Sequence, residues 1–231
     1  MRKASSPWVD EFNMLAQQDN LKYPHQVAGW KDILSLDEWD EYVGDVIQDR
    51  VNEGMSIFEA GCGALAFLES VQRICGEVKI SGIDAGEQVL QHAKQRLAPA
   101  TRDRFQVGIV PDALQSIPDA SFDIVLCNSV FQYLPNLEVA ETAVLEMLRI
   151  SKTGGKVIVA DLCDEKRKEV NERKMHALWE RYGTDDKPAF LYFSKEWFNR
   201  FGESLVCLRH VEVESYQRRD ERFVVYLEKK H

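Results

Sequence analysis

Four short stretches of this chain combine residue types that can hold or activate a small molecule. The first is Phe58-Glu59-Ala60-Gly61-Cys62-Gly63-Ala64, an apolar run closed by a carboxylate and two glycines. Glycine lets the backbone turn sharply and approach a ligand, because no Cβ intervenes. A pyrophosphate would be met there by several backbone N–H groups. A carboxylate two residues before the first glycine opposes that charge, so Glu59 fits a ligand that is cationic and carries no phosphate. Ala66 stands where a G-x-G-x-x-G pattern has its third glycine, so the full dinucleotide pattern is not met.

The second stretch, Ile80-Ser81-Gly82-Ile83-Asp84-Ala85, ends in an acidic residue about twenty positions past the glycines. In that register a carboxylate can accept from both hydroxyls of a ribose. Asp84 also suits the N-cap of a helix beginning near Glu87. The third stretch is Val110-Pro111-Asp112-Ala113 and the fourth Leu126-Cys127-Asn128-Ser129-Val130-Phe131-Gln132-Tyr133-Leu134-Pro135. Asp112 has a solvated turn as its alternative role, and Phe131 and Tyr133 have core packing as theirs.

Each stretch follows an apolar run of strand length. Runs near Met55–Phe58, Val78–Ile83, Phe105–Ile109, Phe122–Cys127 and Lys156–Leu162 read as strands. Amphipathic stretches from about Ala64 to Ile74, Glu87 to Leu97 and Glu138 to Ile150 read as helices between them. Strand–helix alternation at this rhythm predicts a parallel sheet with helices on both faces. It gathers the four stretches at the carboxyl ends of the strands, where open α/β sheets bind ligands. Ahead of the sheet, Asp37 can cap a helix running to about Arg50. After it come a polar helix near Asp164 to Tyr182, a short one near Ser194 to Phe201, and two strand-like runs, Leu205 to Tyr216 and Arg222 to Glu228. The polar link Gln217-Arg218-Arg219-Asp220 is too short for a crossover helix, so these last runs pair antiparallel.

The chain has 231 residues, 45% of them hydrophobic, enough for one α/β domain with an extension or insertion. Its net charge of -9 repels nucleic-acid phosphates, and the basic run Glu165-Lys166-Arg167-Lys168-Glu169 is flanked by carboxylates. We expect no nucleic-acid and no membrane partner, since no apolar run approaches the ~18 residues that span a bilayer. The five cysteines, Cys62, Cys75, Cys127, Cys163 and Cys207, contain no C-x-x-C pair. That disfavours a disulfide framework or zinc cluster and fits a reducing, cytoplasmic compartment; no metal site is expected.

The order Phe58-Glu59-Ala60-Gly61-Cys62-Gly63, Gly82-Ile83-Asp84, Asp112-Ala113, Ile117 to Asp123, then Leu148 to Val157 resembles the class I, Rossmann-like S-adenosylmethionine-dependent methyltransferases. The resemblance covers about residues 40–162, and the closing hairpin extends it to the C-terminus. It implies a doubly wound, mostly parallel seven-stranded sheet with an antiparallel C-terminal strand and helices on both faces. It implies S-adenosyl-L-methionine as cofactor, with Glu59, Gly61, Cys62 and Gly63 around the methionine moiety and Asp84 and Ala85 at the ribose. Asp112 and Ala113 would meet the adenine, and Asn128 and Ser129 would lie beside the cofactor. Leu65 departs from the small residue that many members carry there, and its bulk would narrow the crevice.

Methyl transfer from a sulfonium is an in-line displacement in which alignment supplies much of the rate, and a base is needed only for a protonated acceptor. Candidate bases on the rim are Asp161, His176 and Tyr133, with a cap, a surface imidazole and core packing as their alternative roles. No Asp/Asn-Pro-Pro-aromatic run follows the fourth strand, which disfavours base or amide methylation. Residues 1–36 would form a helical, aromatic cap over the site. Residues 37–231 would form the methyltransferase domain, with a cap-like insertion near 164–193. Between them these segments carry Trp8, Phe12, Tyr23, His25, Trp30, Trp179, Tyr182, Phe190 and Tyr192. The expected acceptor is a small molecule with an N or O nucleophile, an amine favoured. The competing roles are a cofactor-binding scaffold without turnover and a nicotinamide-dependent oxidoreductase.

Overall fold

The computed structural model describes residues 7–18, 21–31, 33–182, 190–201 and 219–230. Six strands form one sheet: β1 (Ser56–Ala60), β2 (Lys79–Asp84), β3 (Phe105–Val107), β4 (Phe122–Asn128), β5 (Ser151–Cys163) and β6 (Arg222–Glu228), in the spatial order β3-β2-β1-β4-β5-β6. The first five are parallel, and β6 runs antiparallel to β5. The sheet therefore has six strands among the described residues rather than the expected seven. The remaining run, Leu205 to Tyr216, which includes Cys207, lies outside them, as do Gln217 and Arg218 of its link to β6. After β3 the chain returns to the other side of β1 to form β4. This switch point opens a crevice between the carboxyl ends of β1 and β4.

Both faces of the sheet are covered, so the central strands are apolar along their length. On one face, Ile57, Ile80, Ile124 and Ile158 meet α3 (Leu36–Ile47), α4 (Ala66–Cys75) and α5 (Glu87–Lys94). On the other, Phe58, Val125, Val157 and Val159 meet α7 (Leu137–Ile150) and the 3-10 turn Lys195–Phe201. Each large apolar side chain buried in these layers contributes about 1.5–3 kcal/mol. A short helix, α6 (Pro99–Arg102), precedes β3, and α8 (Lys168–Tyr182) follows β5.

Helix starts follow side-chain capping. Ser35 Oγ accepts from Glu38 N at 3.1 Å, and Glu38 Oε2 accepts from Ser35 N at 3.2 Å, a reciprocal box that starts α3. The cap is thus Ser35 and not Asp37, which lies in the first turn. Asn136 caps α7 by accepting from Val139 N at 2.9 Å. The N-cap position of α5 is Gly86, which has no side chain to offer. Its first-turn amides are met from outside: Asn13 Oδ1 accepts from Gln88 N at 3.1 Å and Val89 N at 3.4 Å. Asn13 belongs to α1 (Pro7–Leu15), which this contact lays across the carboxyl rim of the sheet. The following turn α2 (Pro24–Val27) carries His25, which is fully buried, stacks between Tyr23 and Trp39, and hydrogen-bonds Ile33 O at 3.0 Å. Trp30 and Ile33 join the same core layer as β1 and α4.

Candidate active site

The glycine stretch after β1 turns with Gly61 at φ +83° and Gly63 at φ +46°. A side chain at Gly61 would collide with Val130, which follows β4, so this glycine lets two strand ends close on each other. The amides of the turn are used by the protein itself. Gly61 N and Cys62 N donate to Ile83 O at 2.8 and 2.9 Å, and Gly63 N donates to Asp84 Oδ2 at 2.7 Å. Three successive N–H groups that a phosphate-binding loop would aim at its ligand are therefore taken. Leu65 adopts φ +62°, which turns its side chain into the core, where it is fully buried. The expected narrowing of the crevice by Leu65 does not occur, because it does not line the cavity.

That cavity, about 460 Å³, lies at the switch point and is of the size that small-molecule sites occupy. Glu59, Gly61, Cys62, Gly63, Asp84, Ala85, Asp112, Asn128 and Ser129 line it together. Ala113 does not: it packs against Gly108 behind the turn Asp112–Ser116. Asp84 is not the N-cap of α5. Its Oδ1 accepts from Gly86 N at 2.7 Å and its Oδ2 holds Gly63, so one carboxylate pins both loops that flank the crevice. Burial raises the Asp84 carboxyl above its ordinary value, partly offset by these two hydrogen bonds. Glu59 is 3% exposed, and its Oε2 has no hydrogen-bond partner. Burial, then the neighbouring Asp84 charge, push the Glu59 carboxyl well above its usual range. A buried carboxylate oxygen with no donor is a receptor for a cation or an N–H group supplied by a ligand.

On the far side, Tyr42 donates to Asn128 Oδ1 at 2.7 Å, fixing the amide that ends β4. The two residues are 86 positions apart, so no local pattern encodes the bond. The roof is aromatic. Trp8 and Phe12 of α1 lie 4.7 and 5.7 Å from the Tyr133 ring, and Phe190 lies 5.4 Å from Trp8. Trp30 and Trp39 line the opposite wall, where Trp39 Nε1 donates to Ala66 O at 3.0 Å.

The three candidate bases separate. Tyr133 lines the cavity under Trp8. Asp161 is buried one layer behind the wall at φ +58°, where it accepts from Ser129 Oγ at 2.6 Å and pairs with Arg222 at 3.7 Å. His176 is exposed on α8 and is not among the cavity residues. The side chains of Trp179 and Tyr182 lie outside the described residues.

Residues 51–222 match the model of a family described as a methyltransferase domain. Among curated proteins, the malonyl-[acyl-carrier protein] O-methyltransferase of Erwinia pyrifoliae is 29% identical over 58% of this chain and 45% of its own. The trans-aconitate 2-methyltransferase of Afipia carboxidovorans is 32% identical over 36% of this chain and 30% of its own. The chain thus spans less than half the length of these relatives. Among solved structures, a methyltransferase of Haloferax volcanii in complex with the Trm112 methyltransferase activator superposes with TM-score 0.64 at 16% identity, covering 96% of this chain and 98% of its own. The geranyl diphosphate C-methyltransferase of Streptomyces coelicolor, solved with Mg2+, geranyl diphosphate and S-adenosyl-L-homocysteine, superposes with TM-score 0.59 at 10% identity, covering 84% and 79%.

Proposed function

Because this chain belongs to the methyltransferase-domain family, we propose that it transfers a methyl group from S-adenosylmethionine to a small-molecule acceptor in the cavity between β1 and β4. The observation that carries this reading is the glycine turn whose three amides are consumed internally while Glu59 leaves a buried carboxylate oxygen without a donor. That pairing suits an amino-acid cation and repels a pyrophosphate, which separates the reading from a nicotinamide-dependent oxidoreductase.

In this proposal Glu59 receives the ammonium of the cofactor's methionine moiety, Asp84 and Ala85 hold the ribose, and Asp112 faces the adenine end. When bound, the cofactor supplies a methyl group on a good, neutral leaving sulfur. The protein supplies position and dryness. Trp8, Phe12 and Tyr133 exclude water and bound the acceptor's size. The carboxylates of Glu59, Asp84 and Asp112 line the cavity, and no Lys, Arg or His is among its described lining residues. That balance favours a neutral or amine acceptor over a carboxylate or diphosphate, against whose charge these walls work. Aromatic faces around the opening can also hold a cation.

Calorimetry tests the cofactor, and labelled methyl transfer tests the acceptor. The full chain should bind S-adenosylmethionine and S-adenosylhomocysteine far more tightly than NAD, and should label a component of a low-molecular-weight metabolite fraction. Comparable affinity for NAD, or labelling of tRNA or DNA alone, would overturn the proposal.

A further inference from the structure

The α7 face of the sheet loses its cover at the β2–β3 edge. Of these two strands, only Ile83 reaches the core on that side. The link between β3 and β4 accounts for the gap. A crossover between parallel strands ordinarily lays a helix over the sheet, and here it holds only the 3-10 turn Asp112–Ser116. A second cavity, about 490 Å³, opens on this bare face and is of the size that small-molecule sites occupy. Strand alternation and register set its floor. Ser81 and Lys79 share the face of Ile83, being two and four residues before it. On β3, Phe105 packs in the opposite core layer, so its neighbours Arg104 and Gln106 turn to the cavity side. Gly82 N donates to Arg104 O at 3.2 Å, which keeps Arg104 alongside Ser81. Phe58 and Phe122, with ring centroids 4.9 Å apart, give the cavity an apolar wall together with Ile117 and Pro118.

The charge of this cavity is the reverse of the first. The first is lined by Glu59, Asp84 and Asp112 with no cation among its described residues. The second is lined by Lys79 and Arg104 with no carboxylate among its described residues. Both cations are exposed, and neither side chain has a hydrogen-bond or ion-pair partner among the described residues. That is unusual in a chain of net charge -9, where acidic partners outnumber basic ones. Nearby cations do find them: Arg73 pairs with Asp40, Arg96 with Glu69 and Lys152 with Asp123. The Lys152 pair also occupies the carboxylate that holds the lining residue Ser56.

We propose that this cavity is a second binding site, for a small amphipathic anion. The apolar body of the ligand lies against Phe58, Phe122 and Ile117, and its acidic group sits between Lys79 and Arg104, with the Gln106 amide as a further donor. The turn Asp112–Ser116 divides this site from the cofactor cavity: Asp112 lines the first, and Ala113 and Ser116 line the second. Both sites can therefore be filled at once. The proposal goes beyond the methyltransferase reading, whose acceptor belongs in the first cavity.

Two dyes test this on the full chain. Anilinonaphthalene sulfonate is an amphipathic anion that fluoresces in apolar surroundings, and N-phenylnaphthylamine has the same rings without the sulfonate. Saturating S-adenosylhomocysteine, or the cofactor analogue sinefungin, keeps both dyes out of the first cavity. Under that condition the anionic dye should still bind. In the double variant Lys79→Gln, Arg104→Gln its affinity should fall about tenfold relative to the neutral dye, the worth of two exposed ion pairs. Charge reversal, Lys79→Glu with Arg104→Glu, should carry the ratio further in the same direction. Both changes are at exposed positions outside the first cavity, so S-adenosylhomocysteine should bind both variants as it binds the unaltered protein. An unchanged ratio of the two dyes would make the cavity an apolar hollow without anion recognition and overturn the proposal. Complete displacement of the anionic dye by S-adenosylhomocysteine would place it in the first cavity and do the same. A dimer that the double variant dissolves would give this face to a second copy of the chain, which also overturns it.

Discussion

A carboxylate buried beside a second carboxylate is held against its own preference until a cation arrives. Glu59 is in that position, shifted upward first by burial and then by Asp84. A raised folded value means that folding favours the protonated form. The stability Glu59 contributes is therefore fully present below the ordinary carboxylate value and is lost as pH rises through the raised one. Glu59→Gln should accordingly stabilise the ligand-free protein, with a melting temperature above wild type by an amount that grows with pH across that window. The same variant should bind S-adenosylhomocysteine at least tenfold more weakly, because the methionine ammonium loses its counter-charge. Parallel melting curves and titrations check both halves. Asp84 carries a different load, since its two oxygens already hold Gly63 and Gly86. Asp84→Ala should cost ~1.5–3 kcal/mol of cofactor binding, about ten- to a hundredfold, while the protein stays folded. Normal binding with a much earlier melt would leave Asp84 as a loop brace only.

Elements reach the site by two routes, and they differ in how well the sequence exposes them. Strands β1, β2 and β4 were legible because each is a short apolar run closed by a chemical motif, and the rim residues Glu59, Asp84 and Asn128 follow from that placement; β5 was legible only over its apolar half, since it begins at Ser151 and not at Lys156. The placement of α1 was not legible in detail. Its anchor is Asn13 on the first turn of α5, a contact across 75 positions that no local pattern encodes. The cap of α3 was missed for the opposite reason: Ser35 and Asp37 are both good capping types two residues apart, and only the reciprocal bonds with Glu38 select the first. Ala113, placed at the adenine by the family resemblance, is turned about 120° from Asp112 by the 3-10 turn Asp112–Ser116 and lies outside the cavity lining. The α1 anchor makes a prediction at this scale. Cap loss costs about 1 kcal/mol, a factor of about five in an equilibrium. Asn13→Ala should therefore release α1 about fivefold more often, quicken S-adenosylhomocysteine dissociation by a similar factor, and raise hydrogen exchange over residues 8–15. Unchanged dissociation would mean that the ligand enters and leaves without α1 moving.

Across the whole molecule the sheet has a chemical end and a structural end. At the amino ends of the strands, far from the cavity, Asp123 of β4 ties three strands together. It accepts from Ser56 N and Oγ on β1 at 2.8 and 2.6 Å, and from Lys152 Nζ on β5 at 2.8 Å. Partial burial alone would raise this carboxyl, but the bonds from Lys152 and Ser56 outweigh it and hold it at about 2. A lowered folded value contributes stability that is present above the ordinary value of 3.8 and is lost as pH falls from there toward about 2. The Asp123 and Lys152 side chains are 31% and 43% exposed, so solvent screening reduces the full linkage to about 1 kcal/mol. Asp123→Asn should therefore lower the melting temperature at neutral pH by about 2–4 °C, with the gap to wild type closing as the pH approaches 2. Because the carboxyl rim is built from other residues, the same variant should bind S-adenosylhomocysteine and sinefungin as the unaltered protein does. A change in either affinity would mean that strain at one end of the sheet is transmitted along β4 to Asn128 and Ser129, and that the two ends are not independent.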